Sequence, residues 1–139
     1  MDYYGDLLRF AFRNFPLTQV HPHAQNAAEA AEAAGAQGGF WEMHYILYEN
    51  QDALDDASLR EYALMLELDM ERFDDEMMNH VHAKRVREDF MSGVMSGVNG
   101  TPTFYLNGIR YDGSWDEGSL AAAIEDLMLT KRKKARRRR

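Results

Sequence analysis

Cysteine is absent from this sequence of 139 residues. On its own, the chain can therefore form no disulfide or thiolate metal site, and it can supply neither a cysteine nucleophile nor thiol redox chemistry. Long apolar runs are also missing, since none approaches the ~20 residues that a membrane-spanning helix needs. The opening residues, MDYYGDLLRF, contain no cationic stretch followed by an apolar one. No secretory signal is visible, so we expect a cytoplasmic protein.

Basic side chains are scarce except at the carboxyl end. Eight of the 16 lysines and arginines lie in Lys131–Arg139, here called the basic tail, whereas all 23 acidic side chains precede it. The acidic body repels nucleic-acid phosphates and the basic tail attracts them. Because a block of like charge cannot be buried, we predict a disordered tail. Nucleic acid, an anionic surface or the acidic body are its candidate contacts, and a purely solubilising tail is the simplest alternative.

The composition indicates one globular domain over residues 1–130, with 45% hydrophobic and 28% charged residues. Alternating apolar residues predict a strand over Leu7–Phe15. The residues that follow predict four helical segments. These segments are Ala24–Ala34, stopped by Gly35; Phe40–Tyr48; a helix capped by Asp55, Asp56 or Ser58; and a long helix from Asp69 to about Ser96. Asp116 is expected to cap a final helix.

A β-hairpin is the clearest local signal in the sequence. Two short β runs, Thr103–Leu106 and Ile109–Asp112, are separated by Asn107-Gly108, a pair that tolerates the positive φ angles of a type I′ turn. Because an isolated hairpin is marginal in water, we expect it to share a sheet with the strand at Leu7–Phe15. The predicted fold is therefore α/β, with a helical insertion at about residues 24–98.

Few residues suggest chemistry. Gly100, Thr101 and Pro102 directly precede the hairpin, where a proline suits the entry of a strand. The five histidines lack the spacing and neighbours of a metal site, so we expect no metal ligands among them. Trp41, Tyr45 and Tyr48 are read as a packed helical stripe rather than a ligand cage. Neither a phosphate-binding glycine loop nor a serine-nucleophile elbow is present.

The sequence resembles the DsbA-like branch of the thioredoxin superfamily. The resemblance is carried by FRNFPL (12–17), HPHA (21–24), AAEAAGAQGGFWEMH (30–44) and VREDFMSGVMSGVNGTPTFYLNG (86–108), and by the final helix. It implies a thioredoxin-like fold with a helical insertion and a cis Thr101–Pro102 bond. It also implies that Gly100, Thr101 and Pro102 bind substrate, with the backbone of Thr101 pairing to an extended peptide or protein segment. No cofactor is implied.

The sequence departs from the family pattern at its amino end. The family begins with a strand and a Cys-x-x-Cys helix, whereas here Tyr3–Asp6 resembles only the tail of that helix. We therefore expect a truncated form that lacks the first strand and the redox helix and is inactive in thiol–disulfide exchange. The vacant sheet position would expose Leu8, Phe10 and Phe12, which favours self-association through the open sheet.

Three functions remain open at this point. The chain is a thiol–disulfide oxidoreductase whose redox segment is missing, a non-enzymatic module that binds peptides at the proline loop and open sheet edge, or a relative of glutathione-dependent transferases and isomerases. An upstream in-frame segment encoding a strand and Cys-x-x-Cys would support the first. A stop codon there would support the second.

Overall fold

A computed structural model describes residues 8–114 and 116–137, except for the side chains of 131–135. The fold is α/β and mostly helical, with one small sheet. The elements are α1 (Ala24–Gly35), α2 (Phe40–Glu49), α3 (Asp56–Met65), α4 (Met70–Met78), α5 (Ala83–Met95), β1 (Phe104–Leu106), β2 (Ile109–Tyr111) and α6 (Glu117–Arg137). They fall into two compact units, Met1–Gly97 and Val98–Arg139. Tyr3–Asp6 and Leu7 lie outside the described residues.

Helix α1 is the centre of the first unit, where it contacts α2, α3, α4 and α5. Its small alanine side chains let these helices approach closely, and Ala30, Ala33 and Ala34 are completely buried. The helix runs one residue further than predicted, because Gly35 is still helical. The chain reverses instead at Gly38, whose φ is +82°, and the Gly39 N–H donates to the Ala34 carbonyl at 2.8 Å.

The core around α1 is built from one face of each neighbouring helix. Met43 of α2 and Phe73 of α4 are almost fully buried, and the predicted α3 stripe contributes Leu59, Tyr62 and Ala63. The Tyr62 hydroxyl donates to the Ala53 carbonyl at 2.7 Å, so this core tyrosine has a hydrogen-bond partner. The amphipathic spacing seen in the sequence therefore located this core.

The long helix predicted from Asp69 to Ser96 is wrong, because it is two helices, α4 and α5. Asp69 caps the first as expected, accepting from the Arg72 N–H. The chain then leaves the helical conformation at His80, whose φ is +49°, and the Val81 N–H donates to the Glu76 carbonyl. This bond is typical of a Schellman helix end. The His80 Nδ1 atom lies 3.0 Å from Glu29 Oε1 on α1, a tertiary contact that holds the break.

The strand predicted at Leu7–Phe15 is also absent from the described residues, where the segment before α1 has no partner strand. Its apolar face packs on α2 instead. The Phe10 ring centroid lies 5.7 Å from that of Trp41, and the Phe12 centroid lies 4.5 Å from that of His44. The alternation correctly grouped Phe10 with Phe12, but both rings contact a helix and not a sheet, and Phe10 stays 45% exposed.

Buried polar contacts fasten the same segment to α1 and α5. Asn14 is 4% exposed, and its backbone N–H and side-chain amide both donate to Asp89 Oδ2 at 3.1 Å. The amide also donates to Glu32 Oε1 at 2.8 Å. Asp89 also forms an ion pair with Arg85, one helical turn away on α5, with Arg85 Nε 3.3 Å from Asp89 Oδ1. Asn14 therefore joins three parts of the first unit.

The second unit contains the predicted hairpin. Strands β1 and β2 are antiparallel, with Leu106 opposite Ile109, and they form the two-stranded sheet of the described chain. Asn107 and Gly108 have φ values of +50° and +81°, as a type I′ turn requires. The expected larger sheet, shared with the segment before α1, is not seen among the described residues.

Helix α6 begins at the predicted cap. Asp116 Oδ1 accepts from the Ser119 N–H at 2.9 Å. Hydrogen bonds from Ser114 and then Ser119 lower the pKa of the Asp116 carboxyl to about 2. The helix continues to Arg137, so this part of the basic tail is helical and not disordered as predicted. Lysine and arginine are good helix formers, and cations near the carboxyl end favour the helix dipole.

Within the described residues, no helix combines the length and apolar character that crossing a membrane requires.

Candidate functional site

The loop before β1 contains all three predicted substrate-binding residues. Gly100 is half-buried, whereas Thr101 and Pro102 are exposed. The Thr101–Pro102 bond is cis, the geometry that the resemblance implies. The Thr103 hydroxyl donates to the Gly100 carbonyl at 2.6 Å, which holds the two ends of the loop together. Thr101 and Pro102 are therefore exposed to solvent in a loop whose ends are joined by a hydrogen bond.

An open depression of about 180 Å³ lies next to this loop. The arginine and aspartate in its wall form an ion pair, because Arg110 Nε lies 3.1 Å from Asp112 Oδ1. Gly113 lets the Tyr111 ring approach the backbone here, since a Cβ at this position would lie 2.6 Å from the Tyr111 hydroxyl and the ring would have to shift. The lining residues are Pro102, Thr103, Phe104, Arg110, Tyr111, Asp112 and Gly113. The site thus offers a mixed apolar and charged surface beside an exposed loop.

Sequence reasoning missed the β2 half of this depression. The hairpin register places Tyr111 opposite Phe104 and Arg110 opposite Tyr105. The Asn107-Gly108 turn predicts this pairing, because a two-residue loop sets the register of the strands that follow. Arg110, Tyr111 and Asp112 were therefore recoverable from the sequence as neighbours of the proline loop.

A second feature is a group of exposed aromatic rings in the first unit, here called the aromatic face. It consists of Phe10, Trp41, Tyr45 and Tyr48, which are 45%, 39%, 60% and 57% exposed. The interpretation of Trp41, Tyr45 and Tyr48 as a packed stripe is wrong. Phe40, Met43 and Leu47 face the core, so the rings of the aromatic face lie on the opposite side of α2.

His44 connects the rings of the aromatic face. Its ring centroid lies 5.3 Å from that of Trp41, 5.5 Å from that of Tyr45 and 4.7 Å from that of Tyr48. Burial lowers the pKa of His44 below its usual 6.5, which favours the neutral ring at pH 7. Burial also raises the pKa of the Tyr48 hydroxyl. The aromatic face is therefore one contiguous surface arranged around His44.

Two other histidines pair with buried glutamates. His80 contacts Glu29, and His82 Nε2 lies 3.1 Å from Glu76 Oε2. Burial acts to raise the pKa of Glu76, but hydrogen bonds and charge from His82 and Arg72 outweigh it, so this pKa is lowered. No group of three or more such side chains within the described chain could hold a metal ion.

Comparison with known proteins places this fold in a family. The profile of the DSBA-like thioredoxin domain matches residues 6–125. A Na⁺/H⁺ antiporter NhaA 1 from Salinispora arenicola is 49% identical over 117 residues, which is 84% of this chain and 18% of that protein. Antiporters from Mycobacterium sp. strain KMS and Herminiimonas arsenicoxydans are 42% and 40% identical, over 88% of this chain and 20% and 19% of their own lengths.

No solved structure matches the chain. The chain spans about a fifth of the length of the curated relatives it matches, so their names describe much larger proteins. The family profile, in contrast, covers most of the chain, including nearly all of the first unit, the proline loop and the hairpin. This chain belongs to the family of DSBA-like thioredoxin domains.

Proposed function

We propose that this chain is a DsbA-family module that binds extended peptide or protein segments at the Thr101–Pro102 loop without exchanging disulfides. One observation carries the proposal: a chain of the DSBA-like thioredoxin domain family has an exposed cis Thr101–Pro102 loop but contains no cysteine. Disulfide exchange needs a thiolate to attack and another to leave. Binding is the part of the family reaction that requires neither.

The geometry around the loop supports binding of an extended segment. Thr101 and Pro102 are exposed, and the neighbouring depression contains the Arg110–Asp112 pair and the half-buried rings of Phe104 and Tyr111. An extended peptide directs alternate side chains to opposite sides. One side chain in two would then enter the depression while the peptide backbone passes Thr101. This arrangement gives main-chain affinity with little sequence selectivity.

The first experiment is a binding measurement by NMR on isotope-labelled chain, with an unfolded, carboxymethylated polypeptide as the probe. We expect amide shifts concentrated at 100–103 and 110–113. Arg110→Ala should weaken the binding, whereas the matched control Arg87→Ala, an exposed arginine on α5, should not. Shifts confined to other residues, or equal effects of the two variants, would contradict the assignment of the site.

The second experiment tests for activity. Insulin reduction and dithiol oxidation should both remain at the buffer rate, because the chain has no thiol. Reproducible turnover by purified chain would overturn the non-enzymatic reading. Retention on immobilised glutathione would instead favour the transferase and isomerase alternative, and we expect none.

The relatives raise a second candidate function, in which the chain works together with a Na⁺/H⁺ antiporter. Several relatives carry that name, and each is matched over at least 84% of this chain. The test uses the Salinispora arenicola relative with its 117 matching residues removed, assayed for Na⁺/H⁺ exchange in vesicles with and without added chain. A change in exchange rate or in its pH dependence supports the partnership. Identical rates contradict it.

A further inference from the structure

The composition of the aromatic face is typical of a surface that binds a partner. Soluble proteins expose single apolar residues routinely, but a contiguous exposed group is typical of an interaction surface. Here the rings of Trp41, Tyr45 and Tyr48 all surround His44, and Phe10 extends the surface beyond α2. Aromatic residues are also enriched at the centres of protein interfaces.

The charge around the aromatic face indicates a cationic partner. Glu42 and Glu49 are exposed on α2, three residues before and four residues after Tyr45, so both border the exposed rings. The Arg13 guanidinium is directed to α5, where it donates to Ser92. Apart from Arg13, the basic residue nearest to the aromatic face along the chain is Arg9, which directly precedes Phe10. The face of an aromatic ring has a negative electrostatic potential that attracts cations. A surface made of rings and carboxylates therefore favours the binding of arginine and lysine side chains.

The chain itself contains such a partner. The basic tail carries eight cationic side chains in nine residues, whereas the rest of the chain is strongly acidic. Helix α6 extends through Arg137, and Arg136 and Arg137 are both exposed. An arginine guanidinium stacks on an aromatic ring and binds a carboxylate with two parallel hydrogen bonds. The tail is therefore complementary in charge and chemistry to the aromatic face.

We propose that the aromatic face, together with Glu42 and Glu49, binds the basic tail of a second copy of this chain. Because the two surfaces differ, the contact is head-to-tail and leaves a tail and a face open at the ends of each assembly. Association then continues with concentration instead of stopping at a symmetric dimer. This inference uses a different surface from the proline loop and is independent of the proposed function.

Sedimentation equilibrium of the full chain at micromolar concentration tests the proposal. We expect an average mass above the 16.0 kDa monomer that rises with concentration at about 0.1 M salt. At about 1 M salt, where the Debye length falls to ~3 Å, the chain should be monomeric. A monomer under both conditions overturns the proposal. Association that does not respond to salt also overturns it and favours the open sheet edge.

Two variants separate the two surfaces. Tyr45→Ser/Tyr48→Ser removes two of the rings, and Arg136→Glu/Arg137→Glu lowers the net charge of the tail from +8 to +4. Each variant alone should associate at least about tenfold more weakly than the natural chain. Met78→Ser, at a residue 78% exposed on α4, and Arg87→Glu on α5 are the matched controls and should associate normally.

Mixing the two variants gives the decisive result. The tyrosine variant retains its tail and the arginine variant retains its face, so together they should form a complex that stops at one copy of each. Symmetric pairing of faces predicts no such recovery, and its absence overturns the proposal. Circular dichroism checks folding. If the tyrosine variant unfolds, Glu42→Lys/Glu49→Lys replaces it in this mixture, because that variant also keeps its tail and loses its face, and it should form the same one-to-one complex with Arg136→Glu/Arg137→Glu.

Discussion

Replacing Asp89 by alanine should loosen the segment before α1 from the rest of the first unit. Asp89 Oδ2 accepts both the backbone N–H and the side-chain amide of Asn14, each at 3.1 Å, and both residues are at most 5% exposed. A buried donor that loses its partner costs about 1–3 kcal/mol. Two donors are affected, but the Asn14 amide keeps its bond to Glu32. We therefore expect the free energy of unfolding to fall by about 2–4 kcal/mol.

Chemical denaturation of the natural chain and its variants measures this change. Glu88→Ala is the control, because Glu88 directly precedes Asp89 on α5 and is exposed. Its only ion pair in the described residues is a long surface contact, with Lys84 Nζ 3.9 Å from Glu88 Oε1. Removing it should lower the free energy of unfolding by less than about 0.5 kcal/mol. A double-mutant cycle with Asn14→Ala should give a coupling of about 1–3 kcal/mol. Equal effects of Asp89→Ala and Glu88→Ala, or additive effects of Asp89→Ala and Asn14→Ala, would refute the reasoning.

Four further outcomes are expected. Met43→Ala should lower the free energy of unfolding by about 2–5 kcal/mol in the same denaturation assay, because Met43 is fully buried; a cost below about 1 kcal/mol would mean that its site is loosely packed. The lowered pKa of His44 means that the folded chain resists its protonation, so stability should decrease as the pH falls through and below 6.5. A melting series for His44→Phe should lack this loss. Glu76 also makes the chain less stable in acid, because its pKa is lowered in the folded chain. Its contribution to stability is present above the usual pKa of 4.5 and is lost as the pH falls through the lowered value. Glu76→Gln should abolish this loss. If Lys131–Arg139 binds DNA, the binding followed by fluorescence anisotropy should fall steeply with salt and vanish when these residues are removed; binding that survives both deletion and high salt would locate the site elsewhere.

The hairpin beside the proline loop could be predicted because its structure depends on residues that are adjacent in the sequence. Asn107-Gly108 accommodates two positive φ angles, so the hairpin and its register follow from a few adjacent residues. The family motif then located Gly100, Thr101 and Pro102 beside it. The lining contributed by Arg110 and Asp112 follows from the same register, although the motif alone does not include them.

The sequence by itself determined the elements whose causes are local. Asp69 and Asp116 cap helices through bonds to residues three positions away, and the alanine run of α1 forms a helix by intrinsic propensity. Tertiary structure decided the break after α4 and the course of the segment before α1. The break is held by His80 and Glu29, 51 residues apart, and the segment is held by Asn14 and Asp89, 75 residues apart. Apolar alternation identifies the face that Phe10 and Phe12 share, but only the fold decides that this face contacts a helix and not a neighbouring strand.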